Sequence, residues 1–329
     1  MRTIWIVLLL SVAIVSCRDM QPKAQDWVVS APEKTAVGVS CHLGWILERP
    51  DLRKLIANHP LFDQALELFL DRAQIDPSSE TGRVSAYVIK IPDINSTNQS
   101  ADSLRDMALI QIAGFRDPKA IQRVVVESFP PEGSLKIGNR EYPLFVVLDF
   151  NRVQARIFSD SDGRLWIGDL SGLQELARRR NLGEGSSISQ AFEWVAPAGV
   201  LQGFVQPELI PRDTFSGFSD FALEGIHGLA WAVSPSKKDE KLIDLDLVVT
   251  GTGESISKLK PWMQRLIALA SSLSGNGARQ PDTIQENNRL GIRCQFQQDQ
   301  LGNALSLINL QEIVRIPIDG AFSAPPKSK

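Results

Sequence analysis

The chain has 329 residues, with 35 lysines and arginines against 38 aspartates and glutamates, and a formal net charge of −3. An apolar content of 43% with 22% charged residues is ordinary for a folded globular protein and excludes a disordered chain. A nucleic-acid-binding protein normally carries a basic face. The basic runs here, Arg178-Arg179-Arg180 and Lys237-Lys238, are short and separate, so we expect no nucleic-acid partner.

The N-terminus has the order of an export signal. A single positive charge, Arg2, precedes an apolar run over residues 4–15. A run of about a dozen residues is too short to cross a bilayer as a helix, which needs about 20. We therefore expect residues 1–16 to be a signal peptide that is removed.

The end of that signal, Ile14-Val15-Ser16-Cys17, resembles the lipobox of bacterial lipoproteins. The resemblance implies that the Cys17 thiol receives a diacylglycerol, that cleavage falls between Ser16 and Cys17, and that the new amino terminus is acylated. The chain would then be exported and anchored by lipid to the cell envelope. The residue after the cysteine is Arg18 and not aspartate, which favours the outer membrane, facing the periplasm, in a cell with two membranes. The alternative is an ordinary secreted protein whose signal happens to end near a cysteine.

Residues 17–34 are predicted to be the lipidated N-terminus and a polar tether. Trp27, Val28 and Val29 interrupt its polar character. Such apolar residues would dock either on the folded body or on the lipid surface.

The first part of the body, residues 35–198, is predicted to alternate strands and helices. We expect a strand at 35–43, helices within 50–73, strands at 83–91 and 107–114 around an exposed loop, and a helix that Asp117 and Pro118 begin. Three antiparallel strands follow at 142–150, 153–158 and 164–168. Ser171 and Gln174 form a capping box for a helix that ends at the three arginines, and a further helix covers 187–195.

A related order is predicted for residues 199–318, before a tail at 319–329. Strands are expected at 200–206, 221–233, 242–250, 289–297 and 304–310, with a helix at 255–273 in which Pro261 marks either a kink or the true start. Asp244 and Asp246 alternate with apolar residues, so one face of that strand should meet water. The predicted fold is α+β, with antiparallel sheets, helices packed on one face, and two similar halves joined near 196–200.

Two cysteines remain once Cys17 carries lipid. Cys41 and Cys294 each lie on the apolar side of a predicted strand, in a compartment that permits disulfides. One interpretation is a disulfide between an early and a late strand, and the other is two buried thiols that behave as small apolar side chains.

Sequence motifs for catalysis, metals and cofactors are missing. The three histidines, His42, His59 and His227, stand in neither HxH nor HExxH spacing. The run from Asp160 to Gly163 has the start of a calcium loop but lacks its acidic twelfth residue, so a hairpin turn fits better. There is no GxSxG and no phosphate-binding glycine run.

We therefore predict no enzyme, no catalytic, metal or cofactor residues, and a body that binds or scaffolds a protein or an apolar ligand. The alternative is a cell-surface hydrolase whose site is assembled from distant residues: Asp244, Asp246, Glu208, Glu224 and His227.

A second resemblance covers residues 35–180. The segments Ala36-Val37-Gly38-Val39-Ser40, Asn58-His59-Pro60-Leu61 and Gly114-Phe115-Arg116-Asp117-Pro118 are similar to segments in a group of uncharacterised exported bacterial proteins. The chain departs from that group at Ser40, where an acidic residue is common. The resemblance implies no activity, because none is assigned to the group.

Overall fold

The structure is a computed structural model, and it describes residues 26–42, 44, 71–72, 82–92, 104–115, 117–150, 153–178, 181–183, 186–195, 199–210, 224–236, 242–273 and 281–297. The signal peptide, Cys17, the helices expected within 50–73 except residues 71–72, the strand expected at 304–310 and the C-terminal tail lie outside the described residues.

The described residues include twelve strands and five α-helices whose bounds are given below, and residues 44 and 71–72 are also helical. The strands are β1 Thr35–His42, β2 Arg83–Pro92, β3 Leu104–Ala113, β4 Pro131–Ile137, β5 Arg140–Phe150, β6 Val153–Ser159, β7 Leu165–Gly168, β8 Leu201–Val205, β9 Ile226–Pro235, β10 Leu242–Gly251, β11 Asp282–Glu286 and β12 Arg289–Gln297. The helices are α1 Asp26–Val29, α2 Pro118–Ser128, α3 Leu170–Arg178, α4 Ser187–Phe192 and α5 Gly253–Leu273, with a 3-10 helix at Pro207–Leu209.

All twelve strands belong to one sheet, in the order β11-β12-β10-β9-β8-β1-β2-β3-β7-β6-β5-β4. Every neighbouring pair is antiparallel. The predicted α+β class with antiparallel strands is therefore confirmed in its coarse form. The fold is dominated by strands, and they form a single sheet where several had been expected.

The helices of the described chain cover both faces of this sheet. Face 1 carries Cys41 and is covered by α2 and α5, whereas face 2 carries Ser40 and is covered by α1, α3 and α4. The prediction of helices on one face is wrong, because some strands are apolar on both sides. On β10, Leu247 packs on face 1 with Met263 of α5, and Val248 packs on face 2 with Ile188 of α4.

Two glycines allow aromatic rings to lie directly on the sheet. A Cβ added to Gly203 of β8 would overlap the indole of Trp231, its partner on β9. A Cβ added to Gly38 of β1 would overlap the ring of Phe204, its partner on β8. The two pairs lie on opposite faces, so the centre of the sheet is closely packed on both sides.

The observed start of α2 agrees with the start predicted from the sequence, whereas the starts of α3 and α5 differ from their predictions. Asp117 begins α2 as predicted, because its Oδ1 accepts hydrogen bonds from the amides of Lys119 and Ala120, each at 3.0 Å. Helix α3 begins one residue before the predicted capping box, and Asp169 caps it by accepting from the Gly172 amide at 2.6 Å. Pro261 lies inside α5, so it does not mark the start of that helix.

The edge strands β4 and β11 were not predicted. Among the residues of β4 only Leu135 is fully buried, and β11 has no fully buried residue. An edge strand exposed on both faces needs no apolar alternation, so its sequence carries no period-2 signal.

Candidate binding surface under the N-terminal segment

A row of buried polar side chains crosses the middle of face 2. Ser40 on β1 lies opposite Gln202 on β8 and Ser85 on β2, and Ser85 lies opposite Gln111 on β3. All four residues are fully buried. A buried polar group destabilises the folded protein unless it is hydrogen-bonded. The hydrogen-bond partners of this row therefore show which part of the chain this surface contacts.

Arg83 organises one end of the row. It is 6% exposed, and its Nε donates to Ser40 Oγ at 3.1 Å. Both terminal nitrogens donate to the carbonyl of Gly199 at 3.2 Å, and Nη2 also donates to Gln202 Oε1 at 3.1 Å. The planar guanidinium thus fixes the direction of the Gln202 side chain, with its oxygen available to a second donor.

That second donor comes from α1. Trp27 Nε1 donates to Gln202 Oε1 at 2.9 Å, and Tyr87 OH donates to the main-chain carbonyl of Trp27 at 2.8 Å. The indole stacks on Phe204 with centroids 5.5 Å apart and meets Phe192 edge-on at 5.6 Å. Burial raises the pKa of Tyr87 well above its ordinary value, so its hydroxyl remains a donor.

Further contacts hold the residues after Trp27. Ser30 and Gln111 share a side-chain hydrogen bond of 3.2 Å, and the amide of Leu182 donates to the carbonyl of Ala31 at 2.8 Å. Pro32 forms an isolated antiparallel bridge with Asn181. Residues 26–34, which were predicted to be tether, therefore belong to the folded body, and the apolar residues of that segment dock on the sheet.

The polar row continues beyond Ala232 to an ion pair at the other side of the sheet. Asp246 Oδ1 accepts from Arg293 Nε at 2.6 Å and Oδ2 accepts from Nη2 at 3.1 Å, and Asp244 accepts from Gln295 Nε2 at 2.9 Å. Asp246 is 3% exposed. The prediction that this face of β10 meets water is wrong, because α4 covers it and the two aspartates are paired with β12.

The candidate residues for a hydrolase are not brought together. Glu208, Glu224 and His227 are exposed. Asp244 lies opposite Ser234, seven residues along β9 from His227, which is roughly 23 Å at about 3.3 Å per residue. Across the described ranges there is no group of three or more His, Cys, Asp or Glu placed to hold a metal ion.

Cys41 and Cys294 are free, buried thiols. They lie in one row of face 1, but Leu201, Val233 and Leu245 stand between them on three intervening strands. Four strand spacings of about 4.8 Å make about 19 Å, whereas a disulfide needs Cα atoms roughly 4.4–6.8 Å apart. The interpretation as a disulfide is therefore wrong, since both cysteines face the same way at too great a distance. Burial raises the pKa of each thiol to about 12.

His42 lies at the end of the polar surface, opposite Arg83. Its Nδ1 is buried and has no hydrogen-bond partner. Burial, and then the positive charge of Arg83, lower the pKa of this imidazole to about 4.

Sequence reasoning missed the residues that hold α1, namely Tyr87, Gln111 and Gln202. A signal was present, since each is a polar group at an inward position of an apolar strand. The alternation of side chains along a strand does not by itself reveal that the N-terminal segment covers one face of the sheet.

No protein-family model, curated protein or solved structure matches this chain. Within the described part, none of the helices combines the length and the apolar character that a membrane span requires.

Proposed function

We propose that this chain is a lipid-anchored protein of the bacterial cell envelope, with a non-enzymatic body that serves as a scaffold or binding module. The observation that carries the proposal is the run Ile14-Val15-Ser16-Cys17 directly after a short apolar segment with one basic residue before it. Diacylglycerol on Cys17 with a third acyl chain on the amino terminus would hold the protein firmly, at about 0.8 kcal/mol for each buried methylene. The outer membrane, facing the periplasm, is the proposed location in a cell with two membranes.

The docking of α1 supports a short connection between lipid and body. Residues 18–25 separate Cys17 from Asp26, the first residue of α1. Eight residues span at most about 29 Å when fully extended. The body would therefore stay close to the bilayer, on the side from which α1 enters.

A scaffold or protein-binding role fits the packing better than an apolar-ligand carrier. A carrier needs an open apolar cavity beside the sheet. At the centre of this sheet the ring of Trp231 lies on Gly203 and the ring of Phe204 lies on Gly38, one on each face. The separation of the hydrolase candidates Asp244 and His227 gives the alternative of a hydrolase no support.

We also propose that the chain contains two related halves. Strands β1, β2 and β3 form a meander that is followed by α2, and β8, β9 and β10 form a meander that is followed by α5. Both helices pack on face 1, and in each half a later strand returns antiparallel to the third, β7 on β3 and β12 on β10. An overlay of the halves in an experimental structure tests this, and helices on opposite faces would contradict it.

The anchor is tested by expressing the full chain in a bacterium that is fed labelled palmitate. The wild-type protein should carry label and fractionate with membranes, and Cys17→Ala should lose the label and fail to be processed. Cys41→Ala is the matched control and should keep the label. A mature wild-type protein with a normally removed signal and no lipid on Cys17 would overturn the proposal.

A further inference from the structure

We propose that the surface formed by Tyr87, Gln111, Gln202, Phe192 and Phe204 is a peptide-binding site, and that the chain's own segment Asp26-Trp27-Val28-Val29-Ser30-Ala31 occupies it as a releasable ligand. The ligand class is a short peptide that carries a tryptophan. Its indole N–H is recognised by Gln202, and its tryptophan carbonyl by Tyr87. This inference does not depend on the lipid anchor.

The segment is joined to the sheet in the way a bound peptide is. It adds no strand to the twelve-stranded sheet, so the hydrogen-bond ladder of the strands is complete without it. It is held on the strands of face 2 by their side chains: Gln202 accepts from the Trp27 indole, Tyr87 donates to the Trp27 carbonyl, and Gln111 bonds to the Ser30 hydroxyl. Its backbone–backbone hydrogen bonds with the rest of the described chain are made by Leu182 and Gly183, outside those strands.

The recognition is specific because it combines one deep apolar anchor with two directional hydrogen bonds. Trp27 is 4% exposed and lies among Phe204, Phe192 and Tyr87, with ring centroids 5.5, 5.6 and 6.2 Å away. A large aromatic side chain in a desolvated pocket is the usual anchor of a binding interface. Arg83 holds Gln202 in place from the other side, so the acceptor for the indole is fixed before the segment binds.

The chemistry of the surface allows the segment to leave. Gln202, Gln111, Tyr87 and Ser85 are polar, and such groups can exchange a protein partner for water at a small net cost, whereas an exposed apolar face of this size favours aggregation. A permanent core contact gains nothing from this polarity, since an apolar pair of the same shape is as stable or more so. The polar groups that lie beside the apolar rings of Phe192 and Phe204 therefore fit a site that is filled and vacated.

The turn after the segment gives a place to cut the chain without disturbing the site. Glu33 and Lys34 are exposed, and Lys34 has a φ of 64°. A protease recognition sequence is inserted between them in the chain that begins at Arg18, without signal or lipid, the protein is purified folded, and it is then cleaved. The uncut protein with the same insertion is the control.

The cleaved N-terminal fragment should co-elute with the body in gel filtration and should be displaced by an excess of a labelled peptide of sequence DWVVSAP. Binding of the labelled peptide is followed by fluorescence anisotropy. A peptide with Trp27→Phe keeps a ring but loses the indole donor, and should bind roughly 3- to 10-fold more weakly. A peptide with Trp27→Ala should bind on the order of 100-fold more weakly or worse.

Three results would overturn the proposal. The fragment could remain bound and never exchange, the body could lose cooperative unfolding once the fragment departs, or the peptides with tryptophan and phenylalanine could bind equally. If the insertion prevents folding, amide hydrogen exchange in the chain without the insertion tests the proposal instead. Amides of residues 27–31 should then exchange at least tenfold faster than those of β2, through an opening that leaves the sheet intact, and equal rates would contradict the proposal.

Discussion

Cys41 and Cys294 face the same side of one sheet in the same row, and yet three strands separate them. Leu201, Val233 and Leu245 complete that row. The two thiols therefore belong to one apolar core without being able to bond to each other.

The first prediction concerns the reactivity of these thiols. With a pKa of about 12, roughly one thiol in ten thousand is ionised at pH 8, and the thiolate is the reactive form. In a soluble form that begins at Arg18, and so lacks Cys17, Ellman's reagent should find no reactive thiol in the folded protein and two in guanidinium. Non-reducing mass spectrometry should show no Cys41–Cys294 cross-link, and a linked peptide would contradict the strand order.

The second prediction concerns pH and His42. The pKa of His42 in the folded protein, about 4, lies below its ordinary value of 6.5. Between these values the unfolded chain binds a proton that the folded chain does not, so stability falls as the pH falls from 6.5 to 4 and is fully retained above 6.5. At 1.36 kcal/mol per pKa unit, discounted for partial exposure, the expected loss is about 1–3 kcal/mol.

Urea midpoints at several pH values test this, with His42→Gln as the matched variant. The variant should lose less stability over the same interval, while keeping any acid sensitivity that arises from carboxylates. An imidazole that titrates near 6.5 by NMR in the folded protein would show the prediction to be wrong.

The third prediction concerns the glycine beneath Trp231. Gly203→Ala places a methyl group where the indole lies, and overpacking of this kind typically costs about 1–3 kcal/mol. Denaturation followed by circular dichroism should show that loss. Trp231→Leu alone should also lower the free energy of unfolding. The double variant should lose less free energy of unfolding than the two single variants lose together. Strict additivity would mean that the two residues are not in contact.

The fourth prediction concerns the pair of Asp246 and Arg293. Asp246→Asn leaves the shape unchanged but removes the charge that pairs with Arg293, whose side chain is 41% exposed. Because one partner is buried and the other reaches water, the expected loss is about 1–3 kcal/mol, less than for a fully buried pair. Glu254→Gln, in the exposed pair with Lys258 on α5, is the control and should leave the urea midpoint unchanged.

Much of the fold follows from local patterns. The alternation of β1, β10 and β12 and the aspartate before Pro118 are strong signals, and the structure has each of these elements close to its predicted bounds. The strand predicted at 221–233 begins only at Ile226, after a turn at residues 224–225. The exposed edges β4 and β11 give no such signal. Helices on both faces were not predicted, because Asp244 and Asp246 suggested that their face of β10 is exposed to solvent. Their hydrogen-bond partners, Gln295 and Arg293, are about 50 residues away in sequence, so local patterns do not reveal the pairing.

The sequence by itself determined the interior strands and the start of α2 at Asp117, and it predicts a lipid site at Cys17, because each of these depends on neighbouring residues. Only the tertiary structure decided that Trp27 meets Gln202, a residue 175 positions away, and that Cys41 and Cys294 share a row without bonding. Strand order sets those distances, and strand order depends on which distant edges pair, a choice that periodicity along the chain does not record.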